Sequence, residues 1–252
     1  MSNTGAIALY ARPSADYQQK IERSIALLRR AEREHSPLTQ ASSLGVEDMV
    51  VTHLLQEAGS ASSIFVLDTG MLHPETLALI GRLEQRYQRK VDVFTPVRQD
   101  ADAYVAANGS EAMYRSLELR KACCEIRKVE PLKRALAGKA GWITGLRREQ
   151  SAARAEVPDV ETSEGRAKIN PLANWTNGDV WQYVKDNNIH YNPLHDQFFP
   201  SIGCAPCTRA VTLGEDPRSG RWWWEQESAK ECGLHVAGAT SSIIPIRQVE
   251  SL

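Results

Sequence analysis

No stretch of this sequence approaches the roughly 18 consecutive apolar residues that a membrane span needs, and residues 1–12 carry neither a basic n-region nor an apolar h-region. The expectation is a cytoplasmic chain with no membrane partner. Charge of one sign is also missing: a formal net charge of -1 leaves no footprint for nucleic acid or an anionic surface. There is no Walker-A lysine and no G-x-G-x-x-G, so two familiar phosphate-cradling signatures are absent. There is neither an internal repeat nor a low-complexity tract. Cysteine is sparse, five in 252 residues. Without a secretory signal those five point to metal binding or thiol chemistry and away from a disulfide framework.

What is present is ordinary globular composition, 42% hydrophobic and 24% charged, in a chain long enough to bury a sizeable core. Residues 16–34 place apolar side chains at Tyr17, Ile21, Ile25, Leu28 and Ala31, the spacing of an amphipathic helix. Leu38–Ser42 reads as a short strand, Val46–Ala58 as a helix, and Ser63–Leu67 as a strand buried on both faces. Pro74 opens a helix to about Gln88, and residues 91–95 are a third strand. Residues 99–136 are expected to be mostly helical, with breaks near Asn108-Gly109 and at the cysteine pair. Trp142-Ile143-Thr144 is a further buried strand, and Asn177-Gly178-Asp179 caps a helix through Val184. This alternation predicts an α/β fold, an open, mostly parallel sheet flanked by helices, with ligands bound beyond the carboxyl ends of the strands. Residues 1–236 are expected to form one α/β domain with an N-terminal helix, and residues 237–252 a mobile tail.

Four features carry chemistry. Ser42-Ser43-Leu44-Gly45-Val46-Glu47-Asp48 stands between a strand and a helix, where backbone N–H groups and two hydroxyls can hold an anion; the plain alternative is a serine cap. Asp68-Thr69-Gly70 ends the next strand and reaches the same crevice, and together the two favour a nucleotide site. Residues 113–154 hold eleven lysines and arginines against four glutamates, a local excess that suits a small, highly charged anion, though a solvated helix face is the plainer reading. Last come the thiols. Cys123-Cys124 and Cys204-Ala205-Pro206-Cys207 suit zinc or an iron–sulfur cluster. Adjacent side chains diverge by about 100° on a helix, which a cluster with separated corners accommodates better than one small ion. A redox-active Cys204/Cys207 pair is a third reading, weakened by the lack of a thioredoxin-like setting. Cys232, beside Gly233 and His235, is either a buried small hydrophobe or an accessible nucleophile.

Taken in order, Ser42 to Asp48, Leu67-Asp68-Thr69-Gly70 with His73-Pro74-Glu75-Thr76, Cys123-Cys124 with Arg127-Lys128, Arg147 to Ser151, Cys204 to Cys207, Gly220-Arg221-Trp222-Trp223-Trp224-Glu225 and Glu231-Cys232-Gly233-Leu234-His235 resemble the assimilatory sulfonucleotide reductases. The branch they resemble is the adenylyl-sulfate one that carries an iron–sulfur cluster. The resemblance implies an adenine nucleotide alpha-hydrolase-like (PP-loop type) sheet and one [4Fe-4S] cluster on Cys123, Cys124, Cys204 and Cys207. It implies that Cys232 attacks the sulfur of adenosine 5'-phosphosulfate, giving AMP and an S-sulfocysteine from which thioredoxin, or a glutaredoxin-like reductant, releases sulfite for cysteine biosynthesis. Ser42, Ser43 and Gly45 match the loop that cradles the phosphosulfate. Asp68, Thr69 and Gly70 match the neighbouring strand end, and Lys128, Arg147, Arg154, Arg218, Arg221 and His235 match the groups around the substrate. A reductase that takes the 3'-phosphorylated nucleotide, or both, is the alternative within the family. A non-catalytic zinc-stabilised nucleotide-binding module is the alternative outside it. The sequence leaves a homo-oligomer open.

Overall fold

The apolar run Ser63–Leu67 forms a strand, and its alternate side chains go to opposite faces of a covered sheet. Ile64 and Val66 join the larger core with Leu28, Val50, Leu54, Leu79 and Val184, while Phe65 packs on Trp142, Ala135 and Leu136. In the computed structural model, which describes residues 5–163 and 165–225, this strand is β2. The others are β1 (Leu38–Ser42), β3 (Val91–Phe94), β4 (Gly141–Ile143), β5 (Val160–Ser163) and β6 (Arg166–Ile169). Their order is β3-β2-β1-β4-β6-β5. Every pairing is parallel except that of β5 with β6.

The helices are α1 (Ala6–Tyr10), α2 (Tyr17–His35), α3 (Val46–Ala58), α4 (Pro74–Tyr87), α5 (Arg98–Asn108), α6 (Leu117–Cys124), α7 (Glu130–Ala135) and α8 (Asn177–Asp186). The expected strand and helix alternation stands, with three differences. β5 and β6 were not expected, because Arg166 and Lys168 give them no apolar alternation. Lys168 is buried there, its charge met by Glu161 at 2.7 Å and its ammonium 5.5 Å from the centre of the Trp142 ring. The cap of α8 is Thr176 and not Asn177: its hydroxyl accepts from the Asp179 N–H at 3.0 Å, and the Asp179 carboxylate accepts from the Thr176 N–H at 2.9 Å, a reciprocal capping box. The break at the cysteine pair is a π-turn over Glu125–Val129 that joins α6 to α7 without interrupting the rod.

Connectivity places the site. The chain builds outward from β1 through β2 to β3, then returns to lay β4 on the other side of β1. The loops leaving the carboxyl ends of β1 and β4 therefore part from each other, and a crevice opens between them, the topological switch point of an open parallel sheet. Among the described residues no helix is long and apolar enough to cross a membrane.

Candidate active site

The crevice is a cavity of about 760 Å³, within the range of small-molecule sites. Ser42, Ser43 and Gly45 line it from the end of β1, Thr69 from beyond β2, and Arg147 and Arg154 from beyond β4. Lys128, Arg218 and Arg221 close it from the other side. Nine of the expected substrate residues thus share one cavity. Asp68 and Gly70 do not line it; the Asp68 carboxylate accepts from the Gly70 N–H at 2.9 Å and shapes the turn instead. Cys232 and His235 lie outside the described residues, as do residues 237–252.

The loop after β1 holds an anion of its own. The Asp48 carboxylate accepts from the Ser43 N–H at 2.7 Å and the Ser43 hydroxyl at 2.6 Å. Burial pushes its pKa up to about 6, against the pull of those two donors. Gly145 makes this possible, since a side chain there would put a carbon 2.6 Å from Asp48 Oδ1. Next to it, Glu47 takes the Arg147 guanidinium through Nη2 at 2.9 Å and Nε at 3.2 Å, and Arg147 Nη1 reaches Glu149 at 3.0 Å. Burial alone would raise the Glu47 pKa, but Arg147 and Gln150 hold it below the ordinary value. Arg147 was expected as a cation for the substrate; its charge is met by two carboxylates, and it fixes the β4 loop against α3. Gln150 extends this network, donating to Glu47 at 3.0 Å and accepting from Arg154 at 2.7 Å.

The four thiols meet. Cys123, Cys124, Cys204 and Cys207 line a small cleft with Met71, Met113, Arg120, Arg127, Lys128 and Trp222. The hub is the loop after β2. Thr69 O accepts from Arg127 Nη1 at 2.8 Å and its Oγ1 lies 3.2 Å from Cys204 Sγ. Ala205 N–H donates to Met71 O at 2.8 Å, and Leu72 bridges to Cys204. A turn over Ala205–Cys207 then brings Cys207 round. Burial pushes the Cys207 thiol up to about 12, helped by its thiol neighbours, and raises Cys123 in the same way against Arg127. Among the described residues no three Cys, His, Asp or Glu side chains converge as they would on a single metal ion. Four thiols around one cleft, with cations beside them, fit a polynuclear cluster better than one small ion. Thr69 sits at the junction, lining the larger cavity while its hydroxyl touches Cys204 of the thiol cleft; Lys128 and Trp222 line both.

Sequence reasoning missed three cavity residues. Glu47 and Asp48 stand in the Ser42 to Asp48 motif without a role of their own, and nothing local shows that Asp48 turns back on Ser43 and Glu47 reaches Arg147. His195 lines the cavity from the segment Pro193–Gln197, packed edge-on to Trp181 at 5.3 Å, with neither ring nitrogen in hydrogen-bonding geometry. Burial lowers its pKa in spite of nearby Glu47 and Asp196.

Residues 37–210 match the phosphoadenosine phosphosulfate reductase domain. The chain belongs to that family. Within it, the chain is 50% identical over 242 residues to an adenosine 5'-phosphosulfate reductase of Burkholderia cepacia, covering 95% of each chain. It is 51% identical over 220 residues to one from Neisseria meningitidis serogroup B, covering 86% of this chain and 89% of that one. A solved phosphoadenylyl-sulfate reductase from Candida auris superposes with a TM-score of 0.63 at 24% identity, over 79% of this chain and 98% of that chain. The fold extends beyond the reductase family: FMN adenylyltransferase of Candida glabrata superposes at a TM-score of 0.57 with 13% identity, over 91% of this chain and 83% of that one. The adenine nucleotide alpha-hydrolase-like fold expected from the sequence is the fold found.

Proposed function

We propose that the chain is an adenosine 5'-phosphosulfate reductase that forms sulfite and AMP through a covalent intermediate on Cys232. The observation that carries this reading is the shared wall: a nucleotide-sized cavity at the sheet's switch point and a four-thiol cleft meet at Lys128, Thr69 and Trp222. The name and near-complete coverage of the Burkholderia and Neisseria relatives support the same substrate. A [4Fe-4S] cluster on Cys123, Cys124, Cys204 and Cys207 would brace the two cysteine loops and add to the field at the cavity.

The residues divide the work. Ser42, Ser43 and Gly45 present donors at the end of β1, and Lys128, Arg154, Arg218 and Arg221, which line the same cavity, supply positive charge. That charge offsets the repulsion between an attacking thiolate and a dianionic nucleotide, and preorganised charge of this kind is commonly the largest electrostatic contribution to such a step. The Cys232 thiolate forms a bond to sulfur as the sulfur–oxygen bond to AMP breaks, leaving S-sulfocysteine. A dithiol reductant, thioredoxin by this reading, then attacks the Cys232 sulfur. Sulfite leaves, the reductant becomes a disulfide, and the cysteine thiol is restored. The two electrons come from that dithiol, so the thiol cleft has no electron to supply. The setting is cytoplasmic sulfate assimilation, in which sulfite goes on to cysteine.

Cys232→Ser tests this. The variant should bind AMP as the wild type does, keep its visible absorbance, and show no sulfite adduct by intact-protein mass spectrometry after incubation with adenosine 5'-phosphosulfate. An adduct of the same mass on the variant would remove Cys232 from the mechanism.

A further inference from the structure

Trp222 stands in the wall that separates the two cavities, and it is held there from both sides. On the cavity side the Arg221 guanidinium carbon lies 4.6 Å from the centre of its ring; on the thiol side that of Arg120 lies at 4.8 Å. Arg120 comes from α6, the helix that ends in the cysteine pair, and is wholly buried. It is fixed by a bidentate pairing with Glu225, Nη2 at 2.7 Å and Nε at 2.9 Å. Trp222 itself is 2% exposed and has φ +41°, a backbone conformation that a bulky L residue adopts only where its surroundings impose it.

Arg221 needs such a holder. It is buried, its Nε has no hydrogen-bond partner, and among the described residues no carboxylate pairs with it. A guanidinium taken out of water without a counter-ion is unfavourable, and the face of an indole is one of the few uncharged surfaces that attract it. The remaining space beside it is left by Gly203: a Cβ there would overlap the Arg221 guanidinium. An aromatic ring and a glycine thus place at the cavity edge one cation that meets no carboxylate among the described residues. Lys128 and Arg218, which share that edge, lie on the π-turn and on the loop before Trp222.

We propose that Trp222 is the positioning residue for Arg221: its ring, tied to the cysteine helix through Arg120 and Glu225, holds the guanidinium where the charged end of a nucleotide binds. This rests on the nucleotide reading above. It assigns Trp222 a role in the affinity for the 5'-anion and none in the affinity for the nucleoside.

The test measures dissociation constants of AMP and of adenosine by calorimetry on the metal-loaded full chain. Trp222→Leu should weaken AMP about tenfold, the scale of one charge-assisted contact, and leave adenosine unchanged. Trp222→Phe, which keeps a π-face, should restore most of the AMP affinity. Gly203→Ala, which crowds the guanidinium from the other side, should resemble Trp222→Leu. Arg221→Ala combined with Trp222→Leu should lose no more than Arg221→Ala alone, since the two act as one unit. Equal loss for AMP and adenosine would reduce Trp222 to a packing residue, and additive losses in the double variant would overturn the link to Arg221. If Trp222→Leu does not fold, the Phe and Gly203 variants decide. A wild-type chain that binds neither ligand would overturn the nucleotide reading and this inference with it. Wild-type binding with unaltered variants would overturn this inference alone.

Discussion

At the residue scale, Asp48 shows how a side chain to which the sequence gives no role of its own becomes a liability tuned by its surroundings. Burial raises its pKa from the ordinary 3.8 to about 6. The folded chain therefore holds the Asp48 proton more tightly than the unfolded chain. The stabilisation this gives is complete below about pH 4 and is lost as pH rises through 6, a change of about 3 kcal/mol. Asp48→Asn keeps an acceptor for the Ser43 N–H and removes the titration. Urea unfolding at pH 4, 5, 6 and 7 should show the variant gaining on the wild type by about that amount across the interval. A difference that does not vary with pH would show that Asp48 does not titrate there.

At the scale of elements, one buried ion pair clamps α2 to α8. Lys20 on α2 pairs with Asp179 on α8 at 2.9 Å, with side-chain exposures of 9% and 0%. Burial would raise the Asp179 pKa, but Lys20 with the Ser14 and Thr176 N–H groups holds it down to about 2. That contribution is present above pH 4 and is lost as pH falls towards 2. Lys20→Met leaves the carboxylate buried without its cation and should cost about 3 kcal/mol in urea unfolding at pH 7. An Asp179→Asn change in the same chain should recover part of that loss, and an unaltered midpoint in Lys20→Met would show the pair to be dispensable. Neither partner is visible as a pair in the sequence, because they lie 159 residues apart. What was legible was whatever depends on local pattern. The apolar run of β2, Pro74 at the start of α4 and the spacing of the cysteines each encode their outcome within a few residues. β6 was not legible, because its charged side chains are compensated only once Trp142 and Glu161 are beside it. The engagement of Arg147 by Glu47 was hidden for the same reason.

At the scale of the whole molecule, the thiol cleft ties together segments that the sheet alone would leave independent: the loop after β2, the end of α6 and the turn Ala205–Cys207. The purified chain should contain about four iron and four sulfide, as a cluster held by four cysteines requires; one zinc and no colour would instead favour the non-catalytic module. Removing the iron by chelation under oxidising conditions should lower Tm. Hydrogen exchange should then quicken at residues 69–72, 117–124 and 204–208, with the amides of β1, β2 and β4 still protected. Uniform loss of protection would mean that the cluster supports the entire fold and not only the loops around the site.

The π-turn over Glu125–Val129 also bears on lineage. Its wider winding closes one more residue into the turn than an α-helix does, so a chain one residue shorter between Cys124 and Glu130 would still form a continuous helix. Because the extra residue is the one that the wider turn absorbs, α6 and α7 would keep their relative orientation after that deletion, and the side chains inside the turn, Lys128 among them, would be re-aimed. The feature that lets Lys128 line both cavities is therefore a residue count. Between relatives, the length of this segment should separate chains that share the site from those that share only the fold, even where the residues themselves have drifted.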